Sequence, residues 1–248
     1  MGTMPSSQTG AAKYPQIISP FRRLAALLDG LEPGQAPIDL SIGEPRHPMP
    51  AFVADEIAKR SAEFAKYPPI LGVPELRQAN GRWIAQRYPS LSGQIDWQRH
   101  ILPLCGSREG LFSAIFCANS GSAAKERPVV LIPNPFYFAY AAAAEAAQAE
   151  PILLSASAES GFLPDLDAID ATTLERTIAL YLASPSNPHG ALAGQKYLEK
   201  IISLARQHDF FLFADECYSE IYSETPPLGA LEAAFGRFGD YKNVIVFQ

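Results

Sequence analysis

The sequence predicts an α/β protein in which a mostly parallel sheet is sandwiched between helices. The first observation is residues 210–213, four large apolar side chains that lead through Ala214 into Asp215. A continuous apolar run is typical of a strand buried on both faces, as in parallel sheets covered by helices. The second observation is that short apolar strands alternate with helical segments from residue 100 onwards, which favours parallel strands joined by crossover helices.

The first hundred residues predict an arm, a short strand and three helices. Leu24, Leu27 and Leu28 recur at helical spacing before Gly30, and Pro74 is favoured as the first residue of a helix. Apolar residues of the second helix, from Phe52 to Phe64, are expected to face inward. The predicted elements are a flexible arm over residues 1–15, a helix over 20–29, a strand over 38–42, a helix over 50–65 and the helix from Pro74.

The remaining residues predict the sheet itself. Each strand is a short apolar run, and each following helix carries apolar residues on one face. The predicted strands cover residues 101–105, 129–132, 152–154, 178–182, 210–215 and 244–247. The predicted helices cover residues 107–119, 136–148, 164–170 and 194–208.

Composition excludes several classes of protein. The chain has 248 residues, of which 48% are apolar and 19% charged, as expected for a globular protein with a sizeable core. A net charge of −6 and scattered Lys and Arg argue against a nucleic-acid surface. No apolar stretch has transmembrane length, so we expect no membrane contact. Cys105, Cys117 and Cys217 follow no metal or redox spacing and are predicted to be buried free thiols, which favours a cytoplasmic location.

A candidate anion site follows the predicted strand 101–105. Gly106 permits a tight turn, and Ser107 and Arg108 open the next helix, whose free N–H groups and dipole attract anions. Ser107 adds a hydroxyl donor, and Arg108 adds a charge. The alternative is a plain glycine turn with Ser107 as a helix cap.

Four further polar or aromatic side chains follow other predicted strands. Tyr137 is presented by a proline-rich loop, Asn187 lies between prolines, and Asp215 and Tyr218 end the strand 210–215. Three of them have an ordinary alternative, which is core packing for Tyr137 and a local turn for Asn187 and Asp215. Because the carboxyl ends of parallel strands meet at one edge, we expect these groups to share a cleft.

Together, the set suits a flat, phosphorylated ring with a basic nitrogen and a phenolic oxygen. Pyridoxal phosphate has these features, and a carboxylate beside its ring nitrogen turns the ring into an electron sink. No metal-ligand pattern and no dinucleotide fingerprint is present in the sequence.

The ordered motifs resemble those of fold-type-I pyridoxal-phosphate aminotransferases of class I/II. The residues that carry this resemblance are Gly43, Tyr67 with Gly72, Leu76-Arg77, Gly106-Ser107-Arg108-Glu109, Asn134-Pro135-Phe136-Tyr137, Asn187-Pro188-His189-Gly190 and Asp215-Glu216-Cys217-Tyr218. The resemblance covers residues 20–248. It implies a large cofactor-binding domain over residues 49–248, incomplete at its C-terminal end, and a segment over 16–48 that contributes to a small domain.

The resemblance also implies roles for individual residues. Asp215 would pair with the protonated pyridine nitrogen, Asn187 and Tyr218 would bond the phenolic oxygen, and Tyr137 would stack on the ring. Gly106, Ser107 and Arg108 would hold the phosphate, mainly through backbone N–H groups. Tyr67 would reach the phosphate bound by the partner of a homodimer, and Gly43 would meet the substrate carboxylate. The Asn134–Pro135 and Asn187–Pro188 bonds resemble bonds that are often cis.

Two departures from the family pattern stand out. His189 replaces the usual Thr after Asn-Pro, which we expect to be tolerated because Asn187 makes the contact. The catalytic Schiff-base lysine of the family is assigned to no residue here and is expected just after Gln248, so the chain is predicted to be a truncated form, inactive alone.

Three segments are similar to those of the N-succinyldiaminopimelate aminotransferase subgroup: residues 40–45, 134–137 and 214–220. This similarity implies transfer of an amino group from glutamate to N-succinyl-2-amino-6-oxopimelate, in lysine and diaminopimelate biosynthesis. The alternatives are another reaction on the same scaffold, such as that of a lyase or a different aminotransferase, or an inactive fragment that only binds the cofactor or dimerises.

Overall fold

The computed structural model describes residues 20–36, 38, 40, 43, 47–121 and 126–248. The chain divides into two compact units, Met1–Lys66 and Tyr67–Gln248. The predicted arm over residues 1–15 and most of the predicted strand over 38–42 lie outside the described residues. The assignment of residues 16–48 to a small domain stays a prediction.

The described residues of the first unit form two short helices and a 3₁₀ turn. Helix α1 covers Pro20–Leu28, α2 covers Ala51–Lys59, and the 3₁₀ turn covers Ser61–Ala65. The inward orientation expected for the helix over 50–65 is wrong, since Phe52 and Phe64 are 66% and 76% exposed. No residue of α2 is buried, so this helix has no core of its own to face.

The second unit is an α/β structure with five parallel strands. Its helices are α3 Pro74–Arg87, α4 Trp97–His100, α5 Ser107–Gly121, α6 Phe138–Ala146, α7 Ala171–Arg176, α8 Gln195–His208 and α9 Ala230–Phe238. Its strands are β1 Val129–Asn134, β2 Glu150–Ser155, β3 Thr177–Ala183, β4 Phe211–Asp215 and β5 Val244–Phe247. The strand order is β2-β1-β3-β4-β5, and all neighbouring pairs are parallel. The predicted fold class is confirmed.

Alternate residues of the central strands pack into two separate cores. Leu180 of β3 and Leu212 of β4 face α8 and α9, in a core that includes Leu198 and Ile202. Tyr181 and Phe213, the next residue of each strand, face α5 and α6 on the other side. Each fully buried Leu or Phe side chain contributes about 1.5–3 kcal/mol relative to an exposed one, so both faces stabilise the sheet.

One predicted strand is absent. Residues 101–105 form no strand, and Leu102 and Leu104 are 58% and 48% exposed. The carbonyl of Ile101 accepts a hydrogen bond from the buried Arg77 side chain, at 3.0 Å from Nε, instead of from a neighbouring strand. An apolar run becomes a strand only where a second strand can pair with it.

The three cysteines are free, as predicted, but all are exposed rather than buried. Cys105 is exposed because its segment joins no strand, and Cys217 lies in the turn after β4. No helix within the described ranges is long and apolar enough to cross a membrane.

Candidate functional site

A cleft of about 290 Å³ lies at the carboxyl edge of the sheet, where the loops after β1, β3 and β4 meet the N-terminus of α5. Six of the predicted site residues line it: Ser107, Arg108, Tyr137, Asn187, Asp215 and Tyr218. They come from positions more than a hundred residues apart in the sequence. The parallel sheet brings them together because its strands all end at this edge.

Asp215 forms the buried floor of the cleft and is only 6% exposed. Its Oδ2 accepts a hydrogen bond from the Tyr140 hydroxyl at 2.5 Å, and its Oδ1 accepts one from the Cys217 N–H at 3.3 Å. Its backbone carbonyl accepts a bond from the Ser184 N–H at 3.0 Å, which joins the ends of β4 and β3. The carboxylate is therefore fixed by two neutral donors and keeps lone pairs for a further partner.

Tyr140 belongs to the site but was not singled out in the sequence. Its ring is buried and stacks on Tyr181, with centroids 4.4 Å apart and planes at 10°. Burial raises the pKa of the Tyr140 phenol far above its usual value, and the charge of Asp215 raises it further, so this phenol stays a donor. The available signal was its position three residues after Tyr137, at the same end of α6, since residues three apart share a helix face.

Asn187 and Tyr218 both line the cleft. Burial raises the pKa of the Tyr218 phenol, and the nearby Asn187 amide partly offsets this by lowering it. The Asn187–Pro188 and Asn134–Pro135 bonds are cis, as predicted, and Ser184–Pro185 is also cis. An amide and a hydroxyl are therefore available within the same cleft.

Tyr137 and Arg108 are in contact near the N-terminus of α5. The Nε of Arg108 donates to the Tyr137 hydroxyl at 2.5 Å, and the Tyr137 ring meets Tyr140 edge to face at 5.7 Å. Ser107 is the first residue of α5, a helix of 15 residues, so the positive end of its dipole opens on the cleft. The aromatic ring of Tyr137 thus lies beside the positively charged N-terminal end of α5 and the Arg108 guanidinium.

Three predicted site residues do not line this cleft. Gly106 immediately precedes α5 and borders a neighbouring cleft, lined also by Leu104 and Phe247. Tyr67 is 99% exposed, and Gly43 belongs to the first unit. The role of Gly106 at the phosphate, that of Tyr67 at a phosphate in a partner subunit and that of Gly43 at a substrate carboxylate stay predictions.

The arrangement suits an elongated planar ligand with opposite charges at its two ends. A buried carboxylate can bind a protonated ring nitrogen, and the α5 N-terminus with Arg108 can bind an anion. Between them lie a ring for stacking and two hydrogen-bonding side chains. In the part of the chain that the structure describes, no group of three or more His, Cys, Asp or Glu side chains is placed to hold a metal ion.

Known proteins with similar sequences are aminotransferases. An LL-diaminopimelate aminotransferase of Dehalococcoides mccartyi strain CBDB1 is 32% identical over 204 residues, which is 81% of this chain and 50% of that protein. The enzyme of the same name from Desulforudis audaxviator is 33% identical over 222 residues, which is 88% of this chain and 54% of that protein. The chain thus spans about half the length of the curated relatives it matches.

Two solved aminotransferase structures have a similar fold. An aminotransferase of Neisseria meningitidis Z2491 matches with a TM-score of 0.82 at 35% identity, over 92% of this chain and 57% of that one. The aminotransferase AspB of Helicobacter pylori 26695 also gives 0.82, at 33% identity over 92% of this chain and 58% of that one. The sequence model of aminotransferase class I and II matches residues 35–248. The chain therefore belongs to the class I and II aminotransferase family.

Proposed function

We propose that the cleft binds pyridoxal 5′-phosphate and that the chain supplies the cofactor-binding part of a transaminase. One observation carries this proposal: the nearly buried Asp215 is held by two neutral donors and opens on a cleft of about 290 Å³. A buried carboxylate is costly unless it meets a cation. A protonated pyridine nitrogen supplies that cation.

The residues present fit the remaining groups of the cofactor. The N-terminus of α5, with Ser107 and Arg108, suits a phosphate. Asn187 and Tyr218 suit a phenolic oxygen, because they bring an amide and a hydroxyl to the same cleft. Tyr137 offers a ring for stacking.

Bound pyridoxal phosphate supplies an electron sink for amino-acid chemistry. The contribution of this chain is orientation and charge. Asp215 keeps a proton on the ring nitrogen, and Tyr140 holds Asp215 in place. Asn187 and Tyr218 donate to the phenolic oxygen, and the α5 N-terminus retains the phosphate end. Tyr67 and Gly43 would add contacts from a homodimer partner and toward the substrate.

The names of the relatives support a diaminopimelate-type amino acid as one substrate, with a 2-oxo acid as amino acceptor. N-succinyl-2-amino-6-oxopimelate, with glutamate as amino donor, remains a narrower version of this proposal. It depends on the three segments similar to the N-succinyldiaminopimelate aminotransferase subgroup, whereas the relatives identified bear the name without the succinyl group. The whole protein's activity and a cytoplasmic location are likewise proposed, not observed.

Calorimetric titration of this chain with pyridoxal phosphate tests the proposal. Among the described residues lining the cleft no lysine occurs, so we expect one non-covalent site that borohydride does not fix to the protein. Asp215→Asn should weaken binding at least about tenfold, by loss of a charge-assisted bond. Asp209→Asn, at the opposite end of β4, is the matched control and should bind like the unmodified chain. No binding by the unmodified chain, or equal binding by Asp215→Asn, would contradict the proposal.

A further inference from the structure

Glu216, the residue after Asp215, is a nearly buried carboxylate to which the proposed function assigns no role. It is 4% exposed, although it belongs to a turn at the surface of the second unit. A carboxylate in such a place needs donors for its oxygens, since an unpaired buried charge is strongly destabilising. The structure supplies these donors from three distant parts of the chain.

The donors come from α9, from the end of α3 and from the end of β5. Oε1 of Glu216 accepts the N–H of Ala230, the first residue of α9, at 2.6 Å. Oε2 accepts the Tyr88 hydroxyl at 3.0 Å and the Gln248 Nε2 at 2.9 Å. Gln248 also donates to the Tyr88 oxygen at 2.8 Å, so these three side chains form a closed triangle. The carboxyl group of Glu216 accepts three of these bonds, one on Oε1 and two on Oε2, while burial raises its pKa.

Arg87 closes the outer side of this network. Its guanidinium lies over the Tyr88 ring at 4.5 Å and donates to the carbonyls of Ser219 and Pro227 at 3.1 and 3.0 Å. Its Nε bonds Glu220 at 2.5 Å. The turn is therefore restrained twice. The buried hydrogen bonds fix Glu216, and the Arg87 guanidinium binds Ser219 and Glu220.

The turn held in this way carries the site. Asp215 immediately precedes Glu216, and Tyr218 follows two residues later. Both side chains line the cleft, and this placement depends on the backbone conformation of the turn. Backbone bonds reinforce it, with Glu216 N–H donating to Phe247 at 2.9 Å and Ser219 N–H donating to Glu216 at 2.9 Å. By themselves these are ordinary turn bonds, each of modest net strength.

We propose that Glu216 is a positioning residue, which fixes the turn over residues 216–219 so that Asp215 and Tyr218 face the cofactor cleft. This inference rests on the proposed function only for its effect on cofactor binding. Its structural part, the restraint of the turn, concerns the free chain. Glu216 itself touches no ligand.

Hydrogen exchange of the free chain tests the restraint without any cofactor. Glu216→Gln places an NH₂ group opposite the Gln248 amide and removes the charge, so amides of residues 216–221 should exchange at least about tenfold faster. Exchange in α8 should not change, which separates local loosening from general unfolding. Unchanged exchange over residues 216–221 in the folded variant would overturn the inference.

Titration with pyridoxal phosphate tests the consequence for the site. Glu216→Gln should lower affinity about tenfold, equivalent to about one charge-assisted hydrogen bond. The double variant Glu216→Gln, Gln248→Glu restores an acceptor opposite the new amide and should recover most of the affinity. Glu224→Gln is the control, since it changes an exposed carboxylate beyond the turn over residues 216–219, and it should stay within about twofold of the unmodified chain.

The two measurements separate the possible failures. If the unmodified chain binds no pyridoxal phosphate, the proposed function fails. Hydrogen exchange of the free chain still tests whether Glu216 restrains the turn. If the turn loosens but affinity is unchanged, Glu216 does not position the site. Should Glu216→Gln fail to fold, Tyr88→Phe removes a single donor to Oε2, and we expect about threefold losses in both readouts; no change in either would overturn the inference.

Discussion

Asp215 and Tyr140 act as one unit at the floor of the cleft. A hydrogen bond between a hydroxyl and a carboxylate is stronger in a buried site than in water, and here it measures 2.5 Å. The Tyr140 ring is itself held by its stack on Tyr181. The position of the carboxylate thus depends on aromatic packing in the core beneath it.

Tyr140→Phe should therefore affect the site as well as stability. Loss of a bond to a buried carboxylate should cost about 1.5–3 kcal/mol of unfolding free energy and weaken pyridoxal phosphate binding several-fold. Tyr181→Phe is the control, because the Tyr181 hydroxyl donates to the Leu111 carbonyl at 2.7 Å and not to Asp215, and the new ring can still stack on Tyr140. It should cost about 1 kcal/mol and leave binding unchanged. Equal effects of both variants on binding, measured by calorimetry, would contradict the role of Tyr140.

Cys217 gives a residue-scale prediction about pH. Although the residue as a whole is exposed, partial shielding of its sulfur from water raises the pKa of the thiol to about 12, and the adjacent charge of Asp215 adds to this effect. The folded state thus favours the neutral thiol, so this group's contribution to stability is present below the unfolded-state pKa of about 8.5 and is lost as the pH rises toward 12.

Thiol labelling measures this shift directly. Only the thiolate reacts, so in a Cys105→Ser, Cys117→Ser chain the labelling rate should keep rising with pH above 9 without reaching a plateau. The same chain in denaturant is the control and should level off near pH 9. A plateau near pH 9 in the folded chain would show that the thiol is not shifted.

At the scale of elements, the strands were predictable and the helices partly so. Every observed strand is an apolar run recognisable in the sequence, because burial on both faces allows few polar residues. Helices α4, α7 and α9 were not separately predicted. Helix α7 has only six residues and begins at the Asp170 cap, and α9 contains Gly236, which weakens a helical pattern.

The misassigned strand over residues 101–105 shows the limit of local patterns. Its apolar residues resemble those of β1, but a strand also needs a partner at its edge, which a local pattern does not reveal.

The cleft residues at strand ends, by contrast, were predictable, because parallel strands end at the same edge of the sheet. Tyr140 was missed: its spacing of three residues from Tyr137 was a signal, but in an Ala-rich helix a buried tyrosine is usually an ordinary core ring.

Two glycines near α9 give a prediction for this element. A Cβ on Gly229 would lie 2.8 Å from Cε1 of the buried Tyr88 ring, so Gly229→Ala should cost about 1–3 kcal/mol of unfolding free energy. A Cβ on Gly236 would meet nothing within 4 Å, and Gly236→Ala should stabilise the helix by about 0.5–1 kcal/mol. Urea unfolding measures both. The account of the Tyr88 packing is wrong if Gly229→Ala is as stable as the unmodified chain.

At the scale of the molecule, the cleft belongs entirely to the second unit. Its lining comes from residues 107 to 218, and the sheet that assembles it buries Leu and Phe side chains on both faces. A ligand that binds only this assembled edge must stabilise the folded unit, since the unfolded chain offers no such site.

Thermal unfolding should therefore shift with cofactor concentration. At a pyridoxal phosphate concentration of about one hundred times Kd, the stability of the second unit should rise by about 2.7 kcal/mol. Pyridoxal without the phosphate should stabilise less at equal concentration, because it does not engage the α5 N-terminus. Calorimetric scans compare the two ligands, and equal shifts would argue against a phosphate site there.

The protonation state of the bound ring nitrogen tests the central claim most directly. In ¹⁵N NMR spectra of the chain with ¹⁵N-labelled pyridoxal phosphate, we predict a protonated pyridine nitrogen near neutral pH, paired with Asp215. Asp215→Ala should lose this protonated signal while Asp209→Ala keeps it. An unprotonated ring nitrogen in the unmodified chain, or a protonated one that persists in Asp215→Ala, would contradict the account.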